Sequence, residues 1–161
     1  MAVPSGGYDA PVDDWRNNLL TDPDAIKALV QSLKRVAVLG IRPESRADRP
    51  AHYVPAYLAS AGLTVLPVAV HDPGAPTILG QPVYTSVSQA PGPIDVVDVF
   101  RRSQDIPPHL EDLLRARPKA VWFQSGIRND EVAEALARAG IQVVQDRCLM
   151  VDHRRWATPV R

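Results

Sequence analysis

The 161-residue chain has a single cysteine, Cys148, so no disulfide framework can form within it. A lone thiol fits a reducing compartment, and a cytoplasmic location is expected. Net charge is also missing, since 18 basic residues balance 18 acidic ones. That balance gives no reason to expect nucleic acid or an acidic membrane as a partner. Apolar runs reach only strand length, short of the ~20 residues that cross a bilayer. The N-terminus shows no charged start followed by an apolar stretch, so no secretory signal is expected. The phosphate-cradling pattern G-x-x-x-x-G-K-[ST] is absent. His52, His71, His109 and His153 lie too far apart for metal-ligand spacing. Each is expected to be a surface or capping residue, and no metal is expected. Ser125 next to Gly126 is not set in G-x-S-x-G, so no nucleophile elbow is present.

What is present is an alternation of short apolar runs with helical patterns, punctuated by proline. Residues 1–20 read as an irregular lead-in that Trp15, Leu19 and Leu20 can pin to the rest; residues 21–161 read as one domain. Thr21 or Asp22 can cap a first helix, with Pro23 in its first turn and Ile26, Leu29, Val30 and Leu33 at helical spacing. Residues 35–39 form a continuous apolar run ending at Gly40, the pattern of a central strand covered on both faces. Asp48 and Pro50 are expected to open a helix that carries Tyr53, Val54, Tyr57 and Leu58. Further strands are expected at 63–70, near Val83, at 94–100, at 120–123 and at 141–144. Between them lie one turn of helix from Val87, a helix begun by Pro107 and Pro108, and another over 129–139; a short helix ends the chain.

Such alternation implies parallel strands joined by right-handed crossovers. The expected architecture is a three-layer α/β fold of Rossmann type, with five to six mostly parallel strands and helices on both faces. Its strand order would be 3-2-1-4-5-6. Ligands of such sheets bind beyond the carboxyl ends of the strands, where the order reverses. Here that is the crevice between loops 40–49 and 100–104, flanked by 67–71 and 124–128. Gly40 permits a tight turn there, and the loop runs into a helix N-terminus that favours phosphate. Arg42, Arg46 and Arg49 lie in the first loop, and Arg101 and Arg102 in the second. Glu44 and Asp48 offset part of the first cluster. A phosphate-bearing cofactor is therefore expected. The dinucleotide fingerprint G-x-G-x-x-G is absent, because the first loop reads GIRPESRADRP. The second strand ends in PVAV without an acidic residue, and Asp72 comes late for a ribose, so NAD is disfavoured.

The segments VAVLGIRP, RPAHYVPAYLASAGLTVLPV, LGQPVYTSV, IDVVDVFRR, AVWFQSGIRND and VVQDRCLMVDH, spanning residues 22–156, resemble the small stand-alone CoA-binding proteins. Those proteins are similar to the CoA-binding domain of the succinyl-CoA synthetase α subunit. The resemblance implies coenzyme A or acyl-CoA at the strand ends. It carries over Gly40, Ile41 and Arg42 in the first loop, Pro67 and Val68 after strand 2, and Phe100 and Arg101 after strand 4. Gln124 and Gly126 follow from W-x-Q-x-G. Loop amides and arginines would hold phosphates, while Pro67, Val68 and Phe100 would wall the adenine. Pro43, Arg46 and Arg102 join the candidates as neighbours in the two loops. The chain departs from the family in a longer first loop, with Glu44 and Arg46, and in Ala69-Val70 where asparagine-proline is common.

A cofactor-type site with no catalytic constellation around it makes a non-catalytic CoA-binding module the leading reading, with a protein partner still open. The alternatives are a partner-dependent subunit of an acyl-CoA-handling enzyme, or an NAD-binding oxidoreductase. Two residues add separate expectations. Cys148 follows Arg147 at a helix start, features that activate a thiol, so a mixed disulfide with coenzyme A is one reading. An inert buried cysteine is the leading one. Asp98, near the end of strand 4, is expected to form a structural salt bridge with Arg101 or Arg102.

Overall fold

Every residue of Arg35–Leu39 (β1) after Arg35 is buried, which is what a strand covered on both faces requires. It is the second strand of a five-stranded sheet in the computed structural model, which describes residues 14–71 and 74–157. Thr64–Val68 (β2) lies outside it. On the other side follow Val96–Val99 (β5), Ala120–Phe123 (β6) and Gln142–Val144 (β7). All these neighbours pair in parallel. The α/β Rossmann-type architecture is thus established, with the reversal between β1 and β5.

Pro23–Ser32 (α1), Pro50–Ser60 (α2) and Leu149–Trp156 (α5) cover one face, burying Ile26, Leu29, Val54, Leu58 and Leu149 against Val36, Val38, Val96 and Trp122. Leu110–Ala116 (α3) and Asp130–Arg138 (α4) cover the other, with Leu113, Val132 and Leu136 against Ala37, Leu39, Val97 and Val121. Among the described residues, no helix is long and apolar enough to cross a membrane.

Local signals account for most boundaries. The Asp22 side chain accepts from the Ala25 amide at 3.2 Å, and Asn129 caps α4 through the Val132 amide at 3.0 Å. Asp48, expected to open α2, does not cap it. Pro50 occupies the first turn, which forces the preceding Arg49 into an extended conformation at the cap position.

The strand expected near Val83 is not a member of the main sheet. Its region forms a short antiparallel hairpin, Thr77–Ile78 (β3) with Gln81–Pro82 (β4), followed by one parallel bridge between Tyr84 and Val68. Pro82 has no N–H to donate towards β2, and the parallel pairing with β2 is confined to Tyr84. The opposite edge is protected by the lead-in. Leu19 bridges to Val143, and the Leu20 amide donates to the Val143 carbonyl at 2.8 Å. Trp15 lies between the guanidinium groups of Arg16 and Arg138, each 4.5 Å from its ring centroid. The earlier part of the expected lead-in, residues 1–13, and the chain end at 158–161 lie outside the described residues.

Candidate functional site

After β1 the chain turns towards α2 and β2; after β5 it turns towards α3 and β6. The two exits therefore diverge and leave a crevice. It is occupied by a cavity of about 760 Å³. Gly40, Arg42, Arg49 and the first turns of α2, through Tyr53 and Val54, form one wall. His71 and residues 100–104 form the next, and residues 124–127 with Cys148, Met150 and Val151 close the far side.

The structure brings together Gly40, Arg42, Phe100, Arg101, Arg102, Gln124 and Gly126 of the expected set. It does not bring in the others. Ile41 is fully buried beneath the loop among residues of α1 and α2. Pro43 precedes and Arg46 ends the single turn at Glu44–Arg46, and neither is part of the lining. Pro67 and Val68 are buried inside β2, so they offer the cavity no apolar wall. One face of that strand packs on α2, and the other packs on the segment around Tyr84, Val87 and Ala90. Tyr53, Val54, Ile127, Met150 and Val151 supply apolar surface instead, beside Phe100. Asp72, weighed for a ribose, lies outside the described residues.

Gly40 is required by geometry. Its φ is +91°, and a Cβ built there would lie 2.5 Å from the Phe100 carbonyl oxygen. Its amide donates to the Val68 carbonyl at 2.9 Å, tying the start of the loop to the end of β2 while its bare α-carbon lies against the Phe100 backbone beyond β5. Arg42 is then pinned through its backbone. Its amide donates to the Ala51 carbonyl at 3.1 Å, and its carbonyl accepts from His52 Nδ1 at 2.8 Å. A carbonyl only accepts, so His52 Nδ1 is the donor in this bond. His52 is therefore a buried brace, not a surface residue.

The loops after β5 and β6 are joined. Ser103 Oγ donates to the Arg128 carbonyl, and Asn129 Nδ2 donates to the Ser103 carbonyl at 3.0 Å. Arg101 Nη1 lies 3.4 Å from His71 Nε2, while Arg101 Nε is buried without a hydrogen-bond partner. Burial, then repulsion by Arg101, pushes His109 below the ordinary histidine range, against opposing attraction from Asp112 and Asp105.

The far wall was the least visible from sequence. Trp122 Nε1 donates to the Arg147 carbonyl at 2.7 Å, and Gln124 Oε1 accepts from the Leu149 amide at 3.0 Å. Asp146 Oδ1 accepts from the Gly126 amide at 2.6 Å. Arg147 grips the buried Asp152 with two hydrogen bonds, 2.6 and 3.0 Å long. The W-x-Q-x-G and D-R-C motifs are thus one bonded unit. That unit places Cys148 on the cavity wall, half-buried and packed on one side against the hydrophobic core.

Asp98 is not in the expected salt bridge. It is fully buried beside Val38 and Trp122, and neither carboxyl oxygen has a hydrogen-bond partner. Arg101 leaves the strand at odd spacing, towards the other side, and Arg102 pairs with Asp105 at 3.0 Å. Burial holds the Asp98 carboxyl well above the ordinary carboxylate range. The unfolded chain therefore loses this proton near the ordinary pKa while the folded chain keeps it, and stability falls as pH rises above about 4. Asp98→Asn should raise Tm at pH 7 by at least roughly 2–4 °C, the equivalent of about 1 kcal/mol in a domain of this size. The gain should shrink when the melts are repeated at pH 4. An equal gain at both pH values would contradict a protonated Asp98.

His153 carries the opposite dependence. It too is buried, not at the surface, and Tyr57 Oη lies 2.9 Å from its Nδ1. Burial lowers its pKa. The unfolded chain then binds the proton more readily, so stability is full above about pH 6.5 and is lost as pH falls below it. His109 adds in the same direction. Asp98 acts in the opposite sense over this range, so the readout is the difference between two proteins: from pH 7.5 to 5.5 the Tm of His153→Gln should rise relative to that of the wild type. Parallel slopes in the two proteins would remove His153 from the account.

The chain matches the CoA binding domain family over residues 34–154. It is 36% identical to the uncharacterized protein YneT of Bacillus subtilis (strain 168) over 128 residues, 80% of this chain and 91% of that one. It is similar to the solved structure of cell-free ID.343 from Thermus thermophilus, with 42% identity and a TM-score of 0.78 over 84% of this chain and 99% of that one. A hypothetical protein from Pyrococcus horikoshii OT3 is similar as well, 29% identical with a TM-score of 0.75, covering 93% of this chain and 98% of that one.

Proposed function

The chain belongs to the family of CoA-binding domains, and from that premise we propose that the cavity at the β1–β5 crevice holds coenzyme A or an acyl-CoA without transforming it. The observation that carries this reading is the gathering of Arg42, Arg49, Arg101 and Arg102 around one cavity in a chain of zero net charge. Guanidinium forks match phosphate oxygens, and the start of α2 adds the positive end of a helix. Phe100 and Tyr53 offer flat apolar surface for adenine. The side lined by residues 124–127 and 148–151 carries no charged side chain, which suits the uncharged pantetheine arm. A cytoplasmic setting accords with this role, since that is a compartment in which a chain with a lone cysteine needs no disulfide framework.

Thermal unfolding in the presence of coenzyme A, dephospho-coenzyme A and NAD tests the reading. Coenzyme A at a hundred times its Kd should add roughly 2.7 kcal/mol of stability. Arg101→Ala should lose most of that gain. A response to NAD but not to coenzyme A would replace this reading with an oxidoreductase, and no response to millimolar coenzyme A would overturn it.

A further inference from the structure

The lining of the cavity is polarised. Its arginines lie on the loops after β1 and β5, while the opposite end is built from Gln124, Ser125, Gly126, Ile127 and the start of α5. If coenzyme A lies with its phosphates on the arginines, its pantetheine arm and sulfur run towards that uncharged end. This orientation rests on the reading proposed above.

Two independent features meet there. Cys148, the one thiol of the chain, is half-buried on the wall at the N-cap of α5. Gln124 beside it is 4% exposed. Its Oε1 is engaged by the Leu149 amide, which fixes the amide orientation. Among the described residues its Nε2 has no hydrogen-bond partner, although the residue lines the cavity. An amide donor held in place at the cavity wall, with no protein acceptor, can donate to a ligand oxygen. The last amide carbonyl of pantetheine stands only a few bonds from the sulfur. An amide carbonyl on Gln124 Nε2 therefore brings that sulfur to the neighbouring Cys148. Trp122, Arg147 and Asp152 hold the cysteine in place from behind.

We propose that Cys148 captures coenzyme A as a mixed disulfide by exchange with CoA disulfide. The Cys148 thiolate attacks one sulfur of CoA disulfide, and the S–S bond of the reagent breaks. A new S–S bond joins Cys148 Sγ to one coenzyme A, and the second departs as a thiolate that takes up the proton Cys148 released. No further oxidant is consumed, since the disulfide supplies the oxidising equivalents. One half of the reagent sits in the cavity, and the other leaves through the mouth beside Tyr53 and Val151, the two large hydrophobic residues most exposed among those described.

Intact-mass spectrometry of the full chain, reduced and then incubated with CoA disulfide, tests this. One coenzyme A adduct should form, should be absent in Cys148→Ser and should be released by dithiothreitol. Its rate should exceed that with glutathione disulfide at equal concentration by about tenfold or more, because binding brings the two sulfurs together. Acetyl-CoA, which cannot exchange, should slow it by occupying the cavity, and Gln124→Leu should narrow the preference. Equal rates with both disulfides, or no adduct, would overturn the proposal. Stabilisation of the wild-type protein by acetyl-CoA, measured alongside, separates the outcomes. If it persists without a selective adduct, only the capture chemistry fails; if it is absent, the reading of the cavity fails first.

Discussion

Gly40→Ala should destabilise the protein by about 3 kcal/mol or more, the sum of a strained backbone and a steric collision. The φ of +91° lies where an L-residue is strained whatever space surrounds it. The added methyl also meets the Phe100 carbonyl oxygen at 2.5 Å and its carbon at 3.2 Å. Both atoms are backbone and cannot rotate away. The Phe100 amide is itself bonded to the Leu39 carbonyl at 2.8 Å, so relief requires parting β1 from β5. For a domain of this size the Tm should fall by roughly 6–12 °C. Because the same contact sets the cavity floor, any variant that folds should also respond less to coenzyme A. A Tm within about 1 °C of wild type would mean that the two strand exits are not held as close as described.

Trp122→Ala should be comparably costly, about 3–5 kcal/mol, the usual range for deleting a buried aromatic side chain. Trp122 is fully buried against the helices on its face of the sheet. It is more than filling, because its indole N–H reaches the Arg147 carbonyl. Trp122→Phe separates these roles. It keeps most of the apolar volume but leaves that carbonyl without its donor, at about 1–3 kcal/mol. Urea unfolding of both variants measures the difference. The phenylalanine variant should also lower the preference of Cys148 for CoA disulfide, since the turn that presents the cysteine has lost its anchor. A phenylalanine variant as unstable as the alanine variant would assign the whole effect to packing.

The parts of this fold that the sequence discloses are those governed by local rules. Val96–Val99 reads as a central strand because an unbroken apolar run has no other comfortable place. Asp22-Pro23 and Asn129 mark helix starts because each meets its partner within three residues. Where local signals compete, the reading slips. Val83 has the composition of a strand, but Pro82 limits the pairing to Tyr84 alone.

The site divides along the same line. Gly40, Arg42, Phe100, Arg101 and Gln124 were legible because topology places residues just past the strand ends in the crevice. Pro67 and Val68 stand one or two residues before the exit loop, buried within the strand itself. Tyr53, Met150 and Val151 could not be found this way, since no periodicity says which helix starts tilt over the cavity. The position of Cys148 depends on bonds between segments more than twenty residues apart, Trp122 to Arg147 and Gln124 to Leu149. Both motifs were visible in the sequence, but their joining was not.

The most direct test of the central claim is a crystal structure of the protein grown with coenzyme A. The account predicts density for the cofactor in the β1–β5 crevice, with phosphates against Arg42 and Arg101 and the sulfur towards Cys148. An empty crevice, or coenzyme A bound elsewhere on the surface, would contradict it.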